Sequence, residues 1–261
     1  MKDRLSLLIF TDLDGTLIDH DTYQWSPAFD ALNALKAAQA GVVLASSKTG
    51  AEISVLRDEL GLNAWPAIVE NGAGLLAAHA TVTQTNTDYR KLRNCLNQIP
   101  KQLRQSYVGF GDMTTDEVVQ ATGLDAESAK LAQQRMYSEP GLWHGTQEDK
   151  HRFLAQLKTH GISAQQGGRF LTLSFGTNKV DQMQRLTADF MPRHTIALGD
   201  APNDIAMIEA ADFGVVIANP HRSALKPLKG EAEGRIRRTQ ASGPRGWNTA
   251  ILDLLTQLEL T

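Results

Sequence analysis

At 261 residues, 42% of them hydrophobic and 21% charged, the chain has enough apolar material for one large or two smaller globular domains. A net charge of −3 gives no general attraction to nucleic acid or anionic membrane, and no apolar window approaches the roughly 18 residues of a membrane span. Cys95 is the one cysteine, so no intrachain disulfide can form, and the N-terminal apolar run is too short for a signal peptide; both fit a protein of the cytoplasm.

LSLLIF (5–10) is a continuous apolar run and predicts a strand buried on both faces. Ser26-Pro27 reads as a helix start with Ser26 as N-cap; Leu32 and Leu35 keep helical spacing, and Gly41 ends the helix. VVLAS (42–46) predicts a second buried strand. Thr49 and Glu52 have capping-box spacing, and the helix they open carries Ile53, Leu56 and Leu60 on one face before Gly61. PAIVE (66–70) predicts a third strand, broken by Asn71-Gly72. Strand, helix, strand, helix, strand is the grammar of a doubly wound, Rossmann-like parallel sheet.

The middle of the chain is more polar. Helices are expected near 88–98, 125–137 and 148–159, and a strand over 169–175. This reads as an α+β insertion, residues 85–176, in a core formed by 1–84 and 177–261. The α/β grammar then returns with a helix near 180–191, the strand TIALG (195–199), a helix near 203–210, the strand FGVVI (213–217) and a last helix over 247–258. Segment 219–246 is rich in Pro, Gly, Arg and Lys. No aromatic residues interleave with its charges, so it reads as a solvated loop region rather than a nucleic-acid surface.

Chemistry enters where acids follow apolar strands. Asp12 and Asp14 come directly after the first strand, and Gly15 lets the backbone turn away. Ligands of open α/β sheets sit beyond the carboxyl ends of strands. Two carboxylates there repel each other, so a divalent cation is their natural partner, and an oxygen-only donor set favours Mg²⁺ over zinc. TIALG runs straight into Asp200, Asn203 and Asp204; if that strand neighbours the first, Asp200 reaches the same cation. Ser46 and Ser47 end the second strand, and Lys179 lies where the insertion rejoins the core. Hydroxyl, ammonium and metal-bound carboxylate together make a receptor for phosphate.

DLDGT, Ser46, Lys179 and GDAPND, in this order, resemble the four motifs of the haloacid dehalogenase-like superfamily, and the insertion between the second and third resembles its C2 type of cap. The resemblance implies a phosphatase. Asp12 would be the nucleophile and Asp14 the general acid and then base. Mg²⁺ would bind Asp12, Asp200 and the backbone carbonyl of Asp14, with Asp204 binding through water or orienting Asp200. Ser46 and Lys179 would hold the phosphoryl oxygens, Ser47 being the rival hydroxyl. A carboxylate about 4 Å from a phosphate dianion is repelled by roughly 8 kcal/mol at an effective dielectric near 20. Mg²⁺ and Lys179 bring three positive charges and can reverse that sign.

SSKT, VENGA, RMYSEP, GGRF and GPRGWN together resemble the mannosyl-3-phosphoglycerate phosphatases within that superfamily. The implied partner is a small phosphorylated sugar-glycerate, with no nucleic acid and no membrane. Candidate substrate contacts are Ser47, Lys48, Asn71, Glu139, Gly168 and Arg169, the cations for its anionic groups and Glu139 for sugar hydroxyls. A glucosyl ester, another sugar phosphate or a phosphomutase of the same fold stays open. A non-catalytic sensor would be expected to lose an acid of the first motif, and none is missing.

Overall fold

The computed structural model describes residues 4–80 and 87–260. The first half of the core comprises β1 (Leu7–Thr11), α1 (Phe29–Ala37), β2 (Gly41–Leu44), α2 (Gly50–Glu59), β3 (Ala67–Val69) and β4 (Gly74–Leu76). The inserted section holds α3 (Thr87–Gln98), α4 (Lys101–Arg104), β5 (Tyr107–Gly109), α5 (Thr115–Thr122), α6 (Ala126–Ala132), β6 (Ser138–Trp143), α7 (Gln147–Thr159), β7 (Ser163–Gly167) and β8 (Phe170–Ser174). The core resumes with α8 (Lys179–Phe190), β9 (His194–Gly199), α9 (Ile205–Ala210), β10 (Phe213–Ala218), β11 (Ile236–Ser242) and α10 (Gly243–Gln257). Among the described residues no helix is long and apolar enough to cross a membrane.

The core is a five-stranded parallel sheet in the order β11-β10-β9-β1-β2. Its centre explains the unbroken apolar run of β1. Leu7 and Ile9 join the core on one face, with α1 and α10; Leu8 and Phe10 join the core on the other, with α8 and α9. Every residue of β1 is buried, so no polar alternation survives. The cap is a four-stranded antiparallel sheet in the order β5-β6-β8-β7. One face is covered by α3 and α7 through Leu92, Leu96, Phe153 and Leu157. The fold is therefore α/β with a parallel core and an added α+β cap.

Several local expectations change. Ser26 does not cap α1: it begins a short 3-10 turn whose preceding residue makes no side-chain cap bond. PAIVE is not a full further strand of the parallel sheet. β3 pairs antiparallel with β4, and joins the parallel sheet just beyond β2 by a parallel Ala45–Ile68 bridge and the Ser46 N–H to Ile68 O bond. The helix expected over 125–137 stops at Ala132, because the N–H groups of 136, 137 and 138 are claimed by a core carboxylate, Glu70. Helix α5 and strands β5, β6 and β7 add to the expected elements: β5 (YVG) is only three residues long, β6 (SEPGLW) contains Pro140 and Gly141, and β7 (SAQQG) has no apolar run. Segment 219–246 contains β11, an edge strand that buries Ile236 and carries Arg237 and Arg238. The last helix begins at Gly243, with Pro244 in its first turn.

Trp247 of α10 ties this framework to the end of β1. It is fully buried, and its Nε1–H donates to Thr11 Oγ1 at 2.9 Å. The Thr11 hydroxyl in turn donates to the carbonyl of Asp12 at 2.8 Å. Trp247→Ala should therefore cost about 3–5 kcal/mol of unfolding free energy, measured by urea titration, through the cavity and the orphaned hydroxyl together. A loss below about 1 kcal/mol would show that α10 is not integral to the core.

Candidate active site

Four parallel strands end side by side, and each delivers a polar group to one place. In sheet order these are Asn219 after β10, Asp200 after β9, Asp12 after β1 and Ser46 beyond β2. The register is held beyond the strands: Asp12 N–H donates to Leu198 O, Ala45 N–H to Thr11 O and Ser46 N–H to Ile68 O. Adjacency of β1 and β9, conditional in the sequence, is thus met. Asp12, Asp200 and Asp204 are buried, and a carboxylate oxygen from each lies within 4.8 Å of the other two.

Lys179, the first residue of α8, is the cation inside this cluster. Its Nζ lies 2.6 Å from Asp12 Oδ1 and 2.7 Å from Asp204 Oδ1. Burial works against the ammonium, but the two carboxylates outweigh it and raise its pKa. Asp12 is under-neutralised. Burial and then Asp204 push its pKa up to about 8, against the opposing pull of Lys179. The other Asp204 oxygen accepts from the N–H groups of Asp200 and Ala201, which shapes the turn after β9. Asp200 accepts from Thr16 Oγ1 at 3.1 Å and from Asn219 Nδ2 at 2.6 Å, and Arg222 Nε lies 3.6 Å away. An excess of buried carboxylate oxygens over cations is a donor set suited to a hard divalent ion. Gly15, at φ +83°, keeps this place open: a Cβ there would lie 2.8 Å from Asn219 Nδ2 and 3.1 Å from Asp200 Oδ2.

The side chain of Asp14 points elsewhere, to Lys48 Nζ at 3.1 Å, and is about a third exposed. Burial opposes the charge of Lys48, yet Asp14 and Glu52 raise its pKa. Ser46 is buried and its Oγ accepts from Lys48 N–H at 3.2 Å, which leaves its own O–H to donate; Ser47 is exposed. The capping box of Thr49 and Glu52 that starts α2 is present as expected and fixes this corner. Asn71 joins three parts of the molecule: it accepts from Asn203 Nδ2 and donates to Gln165 Oε1 on β7, each at 3.0 Å.

Glu139 does not face the cleft, contrary to expectation. It pairs across from Leu173, on the helix-covered face of the cap sheet. Its carboxylate is fully buried and accepts from Tyr89 Oη, Arg93 Nη1 and Gly111 N–H. Strand alternation sends Ser138 and Pro140 to the opposite face instead. Gly168 and Arg169 form the tip of the β7–β8 hairpin, beyond Phe170, which lies four residues or about 13 Å along β8 from Ser174, where the chain returns to the core. Arg169 donates there to Ala121 O at 2.7 Å. The structure does not bring this tip to the acid cluster.

Sequence reasoning missed Glu70, Thr16 and Asn219. Glu70, buried just past β3, accepts from the N–H groups of Met136, Tyr137 and Ser138 and the hydroxyl of Ser138, with Arg135 Nε at 3.3 Å. Cap and core are thereby joined by side-chain and backbone hydrogen bonds beside the place where the chain returns to the core at Asn178. Asn219 carried a usable signal, a polar residue directly after an apolar strand. Glu70 carried only its position in VENGA.

The geometry can be set beside known proteins. The profile of the haloacid dehalogenase-like hydrolases matches residues 9–230. A glucosyl-3-phosphoglycerate/mannosyl-3-phosphoglycerate phosphatase of Methanococcoides burtonii is 33% identical over 95% of this chain and 97% of its own. Among solved structures, a haloacid dehalogenase-like hydrolase from Bacteroides thetaiotaomicron superposes with a TM-score of 0.68 at 22% identity, covering 95% of this chain and 99% of the other. The sucrose-phosphatase of Synechocystis, solved with sucrose and phosphate, gives 0.60 at 15% identity over 98% of both chains. These two carry the fold alone. Together with the clustered carboxylates at the strand ends, the profile and the archaeal relative show that this chain belongs to the haloacid dehalogenase-like hydrolases, as an enzyme whose acid cluster supports phosphatase activity.

Proposed function

We propose that the protein is a Mg²⁺-dependent phosphatase that hydrolyses mannosyl-3-phosphoglycerate to mannosylglycerate and phosphate in the cytoplasm. The observation that carries the chemistry is the buried Lys179 ammonium between Asp12 and Asp204, with Asp200 near enough to share one cation. The substrate is supported by the archaeal relative, which matches almost end to end. That relative's name includes the glucosyl ester, which favours the glucosyl compound as a second substrate.

In this reading Asp12 attacks phosphorus, the bond from phosphorus to the alcohol oxygen breaks, and Asp14 gives that oxygen its proton. Asp14 then takes a proton from water, which attacks the phosphoryl group and releases phosphate and the Asp12 carboxylate. Lys179 and the Ser46 hydroxyl hold phosphoryl oxygens. Asp12, Asp200 and the backbone carbonyl of Asp14, with Asp204 behind them, would hold Mg²⁺, whose charge would offset carboxylate–phosphate repulsion. Ser47, Lys48 and Asn71 line the glycerate side, and Gly168 with Arg169 at the hairpin tip serve the far end of the substrate. Residues 85–176 act as the specificity cap on a core of 1–84 and 177–261.

Phosphate release from the mannosyl ester, its glucosyl analogue and a panel of sugar phosphates tests the substrate; no preference for the glycosyl-phosphoglycerates would remove it. Asp12→Asn should lower kcat on the order of 10⁴-fold with an unchanged melting temperature, and retained activity would end the aspartyl-phosphate mechanism. Asp14→Asn should slow sugar esters about 10²-fold more than acetyl phosphate, whose leaving group needs little protonation. Equal losses would remove the acid role.

The raised pKa of Asp12 also sets a direction with pH. Without metal the folded state holds a proton that the unfolded chain releases near pH 4, so that contribution to stability falls as pH rises from about 4 to about 8. A bound cation must displace the same proton. Mg²⁺ affinity, measured by calorimetry, should rise roughly tenfold per pH unit and level off above about 8. Flat affinity across that window would contradict the placement of Asp12 at the metal.

A further inference from the structure

Between the site residues 12–16 and the start of α1, residues 19–24 form an exposed loop that contributes no residue to the acid cluster or to the buried core. Its frame is tight. Asp19 N–H donates to Gln24 O, and Tyr23 N–H donates to Asp19 O. One oxygen of Asp19 accepts from the N–H groups of Asp21 and Thr22 and from the Thr22 hydroxyl. Within this frame Tyr23 sits at φ +56°, a left-handed conformation that is uncommon for a bulky residue. Strain of that kind usually accompanies a buried or engaged side chain. Here the ring is 60% exposed, so burial does not offset the strain.

The surroundings of the ring point to its use. Lys48 Nζ lies 5.9 Å from the Tyr23 ring centroid and 3.1 Å from Asp14 Oδ1. Tyr23 therefore stands on the Asp14 side of the site, whereas Lys179 contacts Asp12 and Asp204. If Asp14 protonates the leaving oxygen, the departing alcohol lies on the Tyr23 side. A flat aromatic face with a polar tip suits the C–H face and hydroxyl rim of a pyranose. Lys48, beside the ring, suits an anionic group next to that sugar.

We propose that Tyr23 is a specificity-determining residue: its exposed ring is the platform on which the sugar of the leaving group lies. This rests on the phosphatase reading above and adds to it a residue outside the four motifs and outside the cap.

The test compares Tyr23→Ala, Tyr23→Phe and Tyr23→Gly on two substrates, a glycosyl-3-phosphoglycerate and acetyl phosphate, which has no sugar. Tyr23→Ala should raise KM for the glycosyl ester roughly tenfold, with kcat within about twofold, and leave KM for acetyl phosphate unchanged. Tyr23→Phe should keep the wild-type KM, because the ring provides the contact. Tyr23→Gly should raise KM in the same way and also raise the melting temperature, since glycine relieves the backbone. Unchanged KM for the glycosyl ester in Tyr23→Ala, equal changes for both substrates, or a change confined to oligomeric mass in sedimentation would overturn the platform. A wild type that hydrolyses acetyl phosphate but no glycosyl ester would overturn it too, with the phosphatase chemistry intact. No turnover of either substrate would instead fail the phosphatase reading itself.

Discussion

One buried ammonium shared by two buried carboxylates sets the terms for the rest of this molecule. Lys179 holds Asp12 and Asp204 within 2.7 Å of its Nζ in a place where neither acid could stand alone. A charge taken out of water costs several kcal/mol unless its partners are close and correctly oriented. The parallel sheet supplies that orientation. It ends β9, β1 and β2 in register, so that Asp200, Asp12 and Ser46 arrive together. The compensation is incomplete: three carboxylates face one buried ammonium, and the excess negative charge suits the cluster to a divalent cation.

The cap is coupled to the same place through residues 70–72. Glu70 and Asn71 both sit at positive φ, 51° and 59°, a costly arrangement of about 1–3 kcal/mol each. The cost is offset by what the loop holds. Glu70 binds three successive N–H groups of the cap, and Asn71 links Asn203 of the core to Gln165 of β7. Gly72 lies against the start of α8, where any Cβ would overlap the Asn178 and Lys179 backbone. One short strained loop thus fixes the cap and bounds the helix that carries Lys179.

Much of this was legible in the residues. β1 and β9 announced themselves as apolar runs with acids at their ends, and α2 by its capping box, because each is dictated by burial or by neighbours within four residues. β5 and β7 were not legible, because β5 is only three residues long and β7 (SAQQG) is polar and mostly exposed, so neither writes an apolar run. Glu139 shows the same limit in the site. Its residue type suited a sugar contact, but which face of a strand it occupies depends on register, and register is set by Leu173 across the sheet.

The sequence by itself determined the core fold, the four stations at its strand ends and their order along the chain. Buried strands write themselves as local apolar runs, and acids placed directly after such runs need a cationic partner. Only the tertiary structure decided that these stations converge, that Glu139 faces away from the cleft, and that Glu70 clasps the cap. Those outcomes depend on which strands become neighbours and on which buried donors find a buried acceptor. Both are settled by long-range packing and by the cost of leaving a charge unpaired, neither of which is written in any single stretch of residues.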